Sequence, residues 1–185
     1  MPRIVAGRAK GRRLATPASG TRPTSDRARE ALFNSLAARL DLVDAAVLDL
    51  FAGTGAVGLE ALSRGAGRAV FVESDHGAIQ VLRRNIETVG LAGAVVRRRP
   101  AAAYLAGPPD DGPFDLVFAD PPYALDAAAL GGLLADLGTD GWLADDALVV
   151  VERSARGAAP AWPDVIEALQ DRRYGEGVLW YGRRR

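Results

Sequence analysis

The chain has no cysteine among its 185 residues, one histidine (His76), one lysine (Lys10) and one methionine. The missing cysteines exclude disulfides, thiolate metal centres and thiol nucleophiles. A single histidine excludes a histidine-built metal site within one chain, and no metal is expected. No apolar run reaches the roughly 18 residues of a membrane span, and Met1-Pro2-Arg3 opens no secretory leader. A cytoplasmic protein without membrane contact is therefore expected. Arginine in place of lysine, beside abundant alanine, reads as genome base composition rather than function.

A chain of this length is most simply one domain, able to bury about 70% of the surface its unfolded form exposes. Its net charge is zero but unevenly spread. Residues 1–40 carry nine basic side chains against Asp26 and Glu30, a net +7, so the remaining 145 residues carry −7. That asymmetry points to a polyanionic partner for the N-terminal segment.

The most informative stretch is Val47-Leu-Asp-Leu-Phe-Ala-Gly-Thr-Gly-Ala-Val-Gly58. An apolar run long enough for one buried strand ends in small residues and then reads as a helix. Glycines allow a sharp turn and let a ligand touch bare backbone. The spacing Gly53-x-Gly55-x-x-Gly58, with Glu73 and Asp75 roughly 20 residues on, fits a dinucleotide fingerprint. Asp49 argues against that reading, because a carboxylate beside the turn would repel a pyrophosphate. A ligand with a cationic amino-acid end and no phosphate, such as S-adenosylmethionine, suits it better.

Strands predicted at 47–51, 69–73, 94–98, 115–119 and 147–152 alternate with helices near 56–64, 76–89, 101–106 and 126–137. Alternation of this kind implies a parallel sheet covered on both faces. Residues 165–174 and 177–181, split by Gly175-Glu-Gly177, predict an antiparallel hairpin. The fold expected is α/β, with seven strands, mostly parallel, and an antiparallel C-terminal hairpin. Upstream, Arg3–Gly7 and Arg12–Thr16 predict a basic β-hairpin resting on the main domain or ordering on its target. Thr24 or Ser25 is placed to cap a helix running to about Leu40.

Ligands of open α/β sheets sit outside the carboxyl ends of the strands. Glu73 closes one such end, where its carboxylate can accept ribose hydroxyls, while Asp75 or Ser74 better suits capping of the next helix. Phe114-Asp-Leu-Val-Phe-Ala-Asp-Pro-Pro-Tyr123 closes another. Two prolines fix a rigid turn that exposes carbonyls without donating hydrogen bonds. Asp120 and the Pro121 carbonyl can accept both N–H bonds of an exocyclic amine, and Tyr123 can stack on its base.

Asp49–Gly55 with Asp120-Pro-Pro-Tyr123 resembles the class I methyltransferases that modify exocyclic amines. Adding Arg3–Gly7, Lys10–Leu14, Thr21–Arg27 and Arg29–Asn34, the chain resembles the bacterial 16S ribosomal RNA guanine-N2 methyltransferases that act on guanine 966. The resemblance covers almost the whole chain. It implies a Rossmann-like fold, with residues 1–20 a basic hairpin extension and 21–185 the methyltransferase domain. S-adenosylmethionine is the implied cofactor and S-adenosylhomocysteine the product. Asp49, Phe51, Ala52, Gly53, Thr54, Gly55, Glu73 and Ser74 are the implied cofactor residues, and Asp120, Pro121, Pro122 and Tyr123 the catalytic ones. Arg3, Arg8, Lys10, Arg12, Arg13 and Arg22 would bind the RNA, within a 30S subunit or a late assembly particle, and the protein is expected to be a monomer. The chain departs from the pattern at Arg97-Arg-Arg-Pro100, where methyltransferases often carry an acidic residue for the adenine. Other readings are structural or open: His76 on the surface or the cofactor rim rather than a base, Glu152 in a salt bridge or in the site, Trp142, Trp162 and Trp180 in packing.

Overall fold

Five apolar runs lie side by side as parallel strands, because a helix returns the chain between each one and the next. In the computed structural model, which describes residues 2–16 and 26–185, these are β1 (Ala46–Leu50), β2 (Arg68–Glu73), β3 (Ala94–Arg98), β4 (Phe114–Ala119) and β5 (Leu143–Ser154). The helices are α1 (Asp26–Ala37), α2 (Ala56–Ser63), α3 (His76–Val89), α4 (Ala101–Leu105) and α5 (Ala127–Leu137). β6 (Ile166–Tyr174) and β7 (Gly177–Arg184) complete a seven-stranded sheet of order β3-β2-β1-β4-β5-β7-β6. β7 inserts antiparallel between β5 and β6. The order reverses between β1 and β4, whose carboxyl ends therefore flank the switch point.

Two apolar layers cover the sheet. One joins α1, α2 and α3 through Leu36, Leu59, Phe71 and Leu82; the other joins α4 and α5 through Tyr104, Leu134, Trp142 and Val149. Trp142 is buried between Tyr104 and Phe114, with ring centroids 5.0 and 6.5 Å away.

β5 begins four residues before the predicted start. Its pairing with β4 jumps from Phe114↔Leu143 to Leu116↔Leu148, and Asp146 within the jump has φ 60°. The extra residues form a bulge that alternation of apolar residues cannot reveal.

The N-terminal segment forms a short antiparallel ribbon with one bridge, Arg3↔Arg13, and backbone bonds Ile4 N–H to Arg12 O and Leu14 N–H to Pro2 O. Ile4 and Leu14 are fully buried in the same apolar layer as Leu59 and Phe71. Buried Glu60 of α2 accepts the Val5 and Ala6 N–H groups at 2.8 and 3.0 Å. The ribbon therefore rests on the main domain. α1 begins at Asp26; the predicted caps Thr24 and Ser25, and Arg22, lie outside the described residues.

Candidate active site

Each element of the site is set by strand register. β2, β1, β4 and β5 are neighbours, and their carboxyl ends carry Glu73, Asp49, Asp120 and Glu152 in that order across the sheet. Asp49 is one residue short of the end of β1. Its side chain is 2% exposed, and Oδ2 accepts the Gly58 N–H at 3.0 Å. That bond substitutes for a missing cap: Gly55 precedes α2 and offers no side chain. Burial pushes the Asp49 carboxyl up to about 8; the Gly58 hydrogen bond opposes the rise, and the charges of Asp120 and Glu73 add to it.

The glycines of the turn divide their work. Gly53 has φ 54°, and a Cβ there would meet nothing closer than 4.0 Å, so its bare face is open for a ligand. At Gly55 a Cβ would stand 2.3 Å from Leu82 Cδ1, and at Gly58 2.4 Å from Phe71 Cε1. Those two are glycine because the core presses against them. Phe51 takes a left-handed φ of 61°, a strained conformation for a bulky residue.

Glu73 binds the turn directly. Its Oε2 accepts the Gly53 N–H at 2.9 Å, and Oε1 accepts the Ser74 and Asp75 N–H groups at 2.7 and 2.8 Å. Asp75 caps α3 by accepting the Ala78 N–H at 2.7 Å, which leaves Glu73 at the strand end rather than in the cap. A cleft of about 170 Å³ opens here, lined among others by Phe51, Glu73, Ser74, Pro100, Ala101 and Leu125. A wider cleft of about 720 Å³, lined by Arg39, Asp41 and Arg64, lies at the opposite end of the sheet, where the chain enters β1.

Asp120 follows β4, its N–H reaching Leu50 O at 3.5 Å. Asp120 is solvent-accessible at the strand end, with protein packed around it. Burial raises its carboxyl to about 7, the Glu152 charge adds to the rise, and Arg153 opposes it. Pro121 is buried, while Pro122 and Tyr123 face outward, Tyr123 being 75% exposed.

The structure brings Asp49, the 51–55 turn, Glu73, Ser74 and Asp120 to one end of the sheet. The basic residues behave differently from one another. Arg8 gives its guanidinium to Leu62 O at 3.2 Å, and Arg12 gives Nη1 to Thr88 O at 2.9 Å and also to Val89 O, closing the end of α3. Arg3, Lys10 and Arg13 are exposed, Arg3 lying 3.9 Å from Asp26. The ribbon tip docks on Ser63, at the end of α2 remote from the glycine turn, about 12 Å along an eight-residue helix. Its base reaches the turn through Asn85, whose side chain bonds Ala15 on both sides and Thr54 O at 3.0 Å. His76 is exposed at the start of α3, beside Gln80.

Known proteins resemble this chain in sequence and in fold. A family model described as conserved hypothetical protein 95 matches residues 2–183. The chain belongs to this family. Ribosomal RNA small subunit methyltransferase D of Escherichia coli K12 is 43% identical over 166 residues, covering 87% of this chain and 79% of that protein. The protein of the same name from Haemophilus influenzae Rd is 38% identical, with 81% and 77% covered. A solved structure of a hypothetical protein from Thermus thermophilus superposes with a TM-score of 0.83 at 38% identity, covering 98% of each chain.

Within this family member, three residues of consequence are invisible to sequence reading. Glu60 and Arg29 form a buried pair at 3.5 Å that anchors ribbon and α1. Arg153, at the end of β5, donates to Leu125 O at 2.8 Å. The signal that would have found it is register: it lies two residues beyond Val151, whose pairing with Ala119 is the last between β4 and β5.

Proposed function

We propose that the chain transfers a methyl group from S-adenosylmethionine to the exocyclic N2 of a guanine in small-subunit ribosomal RNA, guanine 966 of 16S RNA. The observation that carries this reading is the Asp120-Pro-Pro-Tyr123 turn standing beside the glycine turn at the carboxyl ends of neighbouring strands β4 and β1. The names of the two methyltransferase D relatives support the RNA substrate.

The residues fit the cofactor. Glu73 uses three of its roughly four acceptor positions on backbone N–H groups, which leaves one for a ribose hydroxyl. Phe51, Ser74, Pro100 and Ala101 line the adjoining cleft, so no acidic residue near Pro100 is needed to shape it. The open face of Gly53 admits close approach of the ligand to Ala52, Gly53 and Thr54, and the carboxylates of Asp49 and Asp120 complement positive charge. When bound, S-adenosylmethionine supplies the methyl group from a sulfonium and leaves as S-adenosylhomocysteine.

Asp120 and the Pro121 carbonyl accept the two N–H bonds of the guanine amine and hold its nitrogen lone pair toward the transferred carbon. Tyr123, with its ring exposed, stacks on the flipped base. Asp120, with its carboxyl near neutrality, can take the proton the amine sheds once methylated. Arg3, Lys10 and Arg13, exposed on the ribbon, bind phosphates and offset the cost of flipping. Arg22 would join them.

The test is transfer of radiolabel from S-adenosylmethionine to 30S particles lacking the modification, beside naked 16S RNA and duplex DNA. Label on guanine N2 of the particle is the expected result, and label on adenine N6 of DNA would overturn the substrate assignment.

A further inference from the structure

The turn that carries Asp120 is poorly tied by its own backbone. Pro121 and Pro122 donate nothing. Asp120 N–H reaches Leu50 O only at 3.5 Å, and Leu125 N–H closes a local turn on Pro122 O at 2.9 Å. Past it, Asp126 is committed to capping α5 through the Ala129 N–H at 2.7 Å. The tie to the neighbouring strand comes from a side chain: Arg153 Nη2 donates to Leu125 O at 2.8 Å, across 28 residues of sequence.

Leu125 also lines the cleft beside Glu73, so the same bond fixes one wall of the cofactor cleft and the end of the catalytic turn. Arg153 Nη1 is buried without a hydrogen-bond partner among the described residues. An unpaired buried donor costs stability, which is a poor arrangement for a purely structural strut. The guanidinium lies close enough to Asp120 to favour its ionised form, against Glu152 and burial.

We infer that Arg153 is a positioning residue for methyl transfer, clamping the Asp120–Leu125 turn to the end of β5 and thereby aligning Asp120 with the cofactor cleft. The inference rests on the reading of Asp120 as the group that binds the target amine. A clamp of this kind acts on both the geometry and the charge of Asp120. Loss of the fork releases the turn; loss of the charge makes Asp120 harder to ionise.

The experiment compares the full-length protein with Arg153→Met, which keeps the stem, and Arg153→Lys, which keeps the charge. Three readouts are taken: amide hydrogen exchange at Tyr123, Ala124 and Leu125, the carboxyl titration of Asp120 by carbon NMR, and label transfer to unmodified 30S particles. With Arg153→Met, exchange at Leu125 and its neighbours should rise about tenfold. The Asp120 midpoint should move to higher pH, and kcat should fall about 10- to 100-fold, well beyond any loss of affinity for S-adenosylmethionine. Arg153→Lys should restore the midpoint and only part of the rate. Unchanged exchange and midpoint in Arg153→Met would overturn the clamp, whatever the substrate. So would a kcat loss matched by an equal loss of cofactor affinity. If the parent protein leaves the particles unlabelled, the substrate assignment falls instead, and exchange with titration still decides the role of Arg153.

Discussion

Asp120 sits between opposing influences, with burial and the Glu152 charge holding its proton on and Arg153 drawing it off. An acceptor for the target amine must be ionised, so kcat should rise with pH through a limb near 7 and level off above it. Glu152→Gln removes one charge that raises Asp120, and the limb should move to lower pH. A limb that stays in place would separate Glu152 from the site. Asp120→Ala should retain cofactor binding and lose methyl transfer by about two orders of magnitude or more, read by calorimetry and label transfer in parallel. Asp49 obeys the same electrostatics with a structural consequence. Its folded-state carboxyl is raised from 3.8 to about 8, so the folded chain holds a proton that the unfolded chain has released. Folding stability is then fullest below about pH 4 for this group and declines as pH rises toward 8. The loss is on the order of a few kcal/mol for a fully buried group. Asp49→Asn, which can still accept the Gly58 N–H, should flatten that decline in thermal unfolding between about pH 5 and about 8. A variant that keeps the parent's slope would remove Asp49 as its source.

At the scale of elements, the N-terminal ribbon combines two kinds of arginine that composition alone cannot sort. Arg12 closes the C-terminal end of α3 by binding the Thr88 and Val89 carbonyls. A cation there satisfies orphan acceptors and meets the negative end of the helix dipole. Arg12→Ala should cost about 1 kcal/mol in urea unfolding. Lys10→Ala with Arg13→Ala should leave stability intact, weaken particle binding and lower its salt dependence, read as the slope of log affinity against log salt. An unchanged slope would return the ribbon to a structural role alone. The strands, the glycine turn and the Asp120–Tyr123 turn were legible in the sequence because each is a local pattern: an apolar run, a small-residue break, a pair of prolines. What was not legible depends on pairs far apart in the chain. Glu60 reads as an ordinary polar position of a helix, yet it is the buried acceptor for Val5 and Ala6. Gly55 and Gly58 read as parts of the glycine turn, and the sequence does not show that Leu82 and Phe71 leave no room for a side chain at either. The β5 bulge escapes because register, not propensity, creates it.

Across the whole molecule, the parallel sheet gathers carboxylates where the strands end, while the ribbon that docks at the far end of α2 carries Arg3, Arg8, Lys10, Arg12 and Arg13. Glu73, Asp49, Asp120 and Glu152 belong to four adjacent strands, and Asp49 feels both Asp120 and Glu73. Such a row resists full ionisation when empty, since every added negative charge raises the cost of the next. A cationic ligand reverses the balance and drives a proton off. The expected outcome is that S-adenosylmethionine binding releases protons between about pH 6 and about 8, Asp49 being the main source, and that affinity strengthens with pH until it flattens above about 8. S-adenosylhomocysteine, which lacks the sulfonium charge, should release fewer protons and show a shallower dependence. Calorimetric titration in buffers of differing ionisation enthalpy counts the protons directly. Equal release by both ligands would mean that the row does not sense the sulfonium. Greater release by S-adenosylmethionine would mean that rising pH favours cofactor over product, and that the four strand ends act as one electrostatic unit.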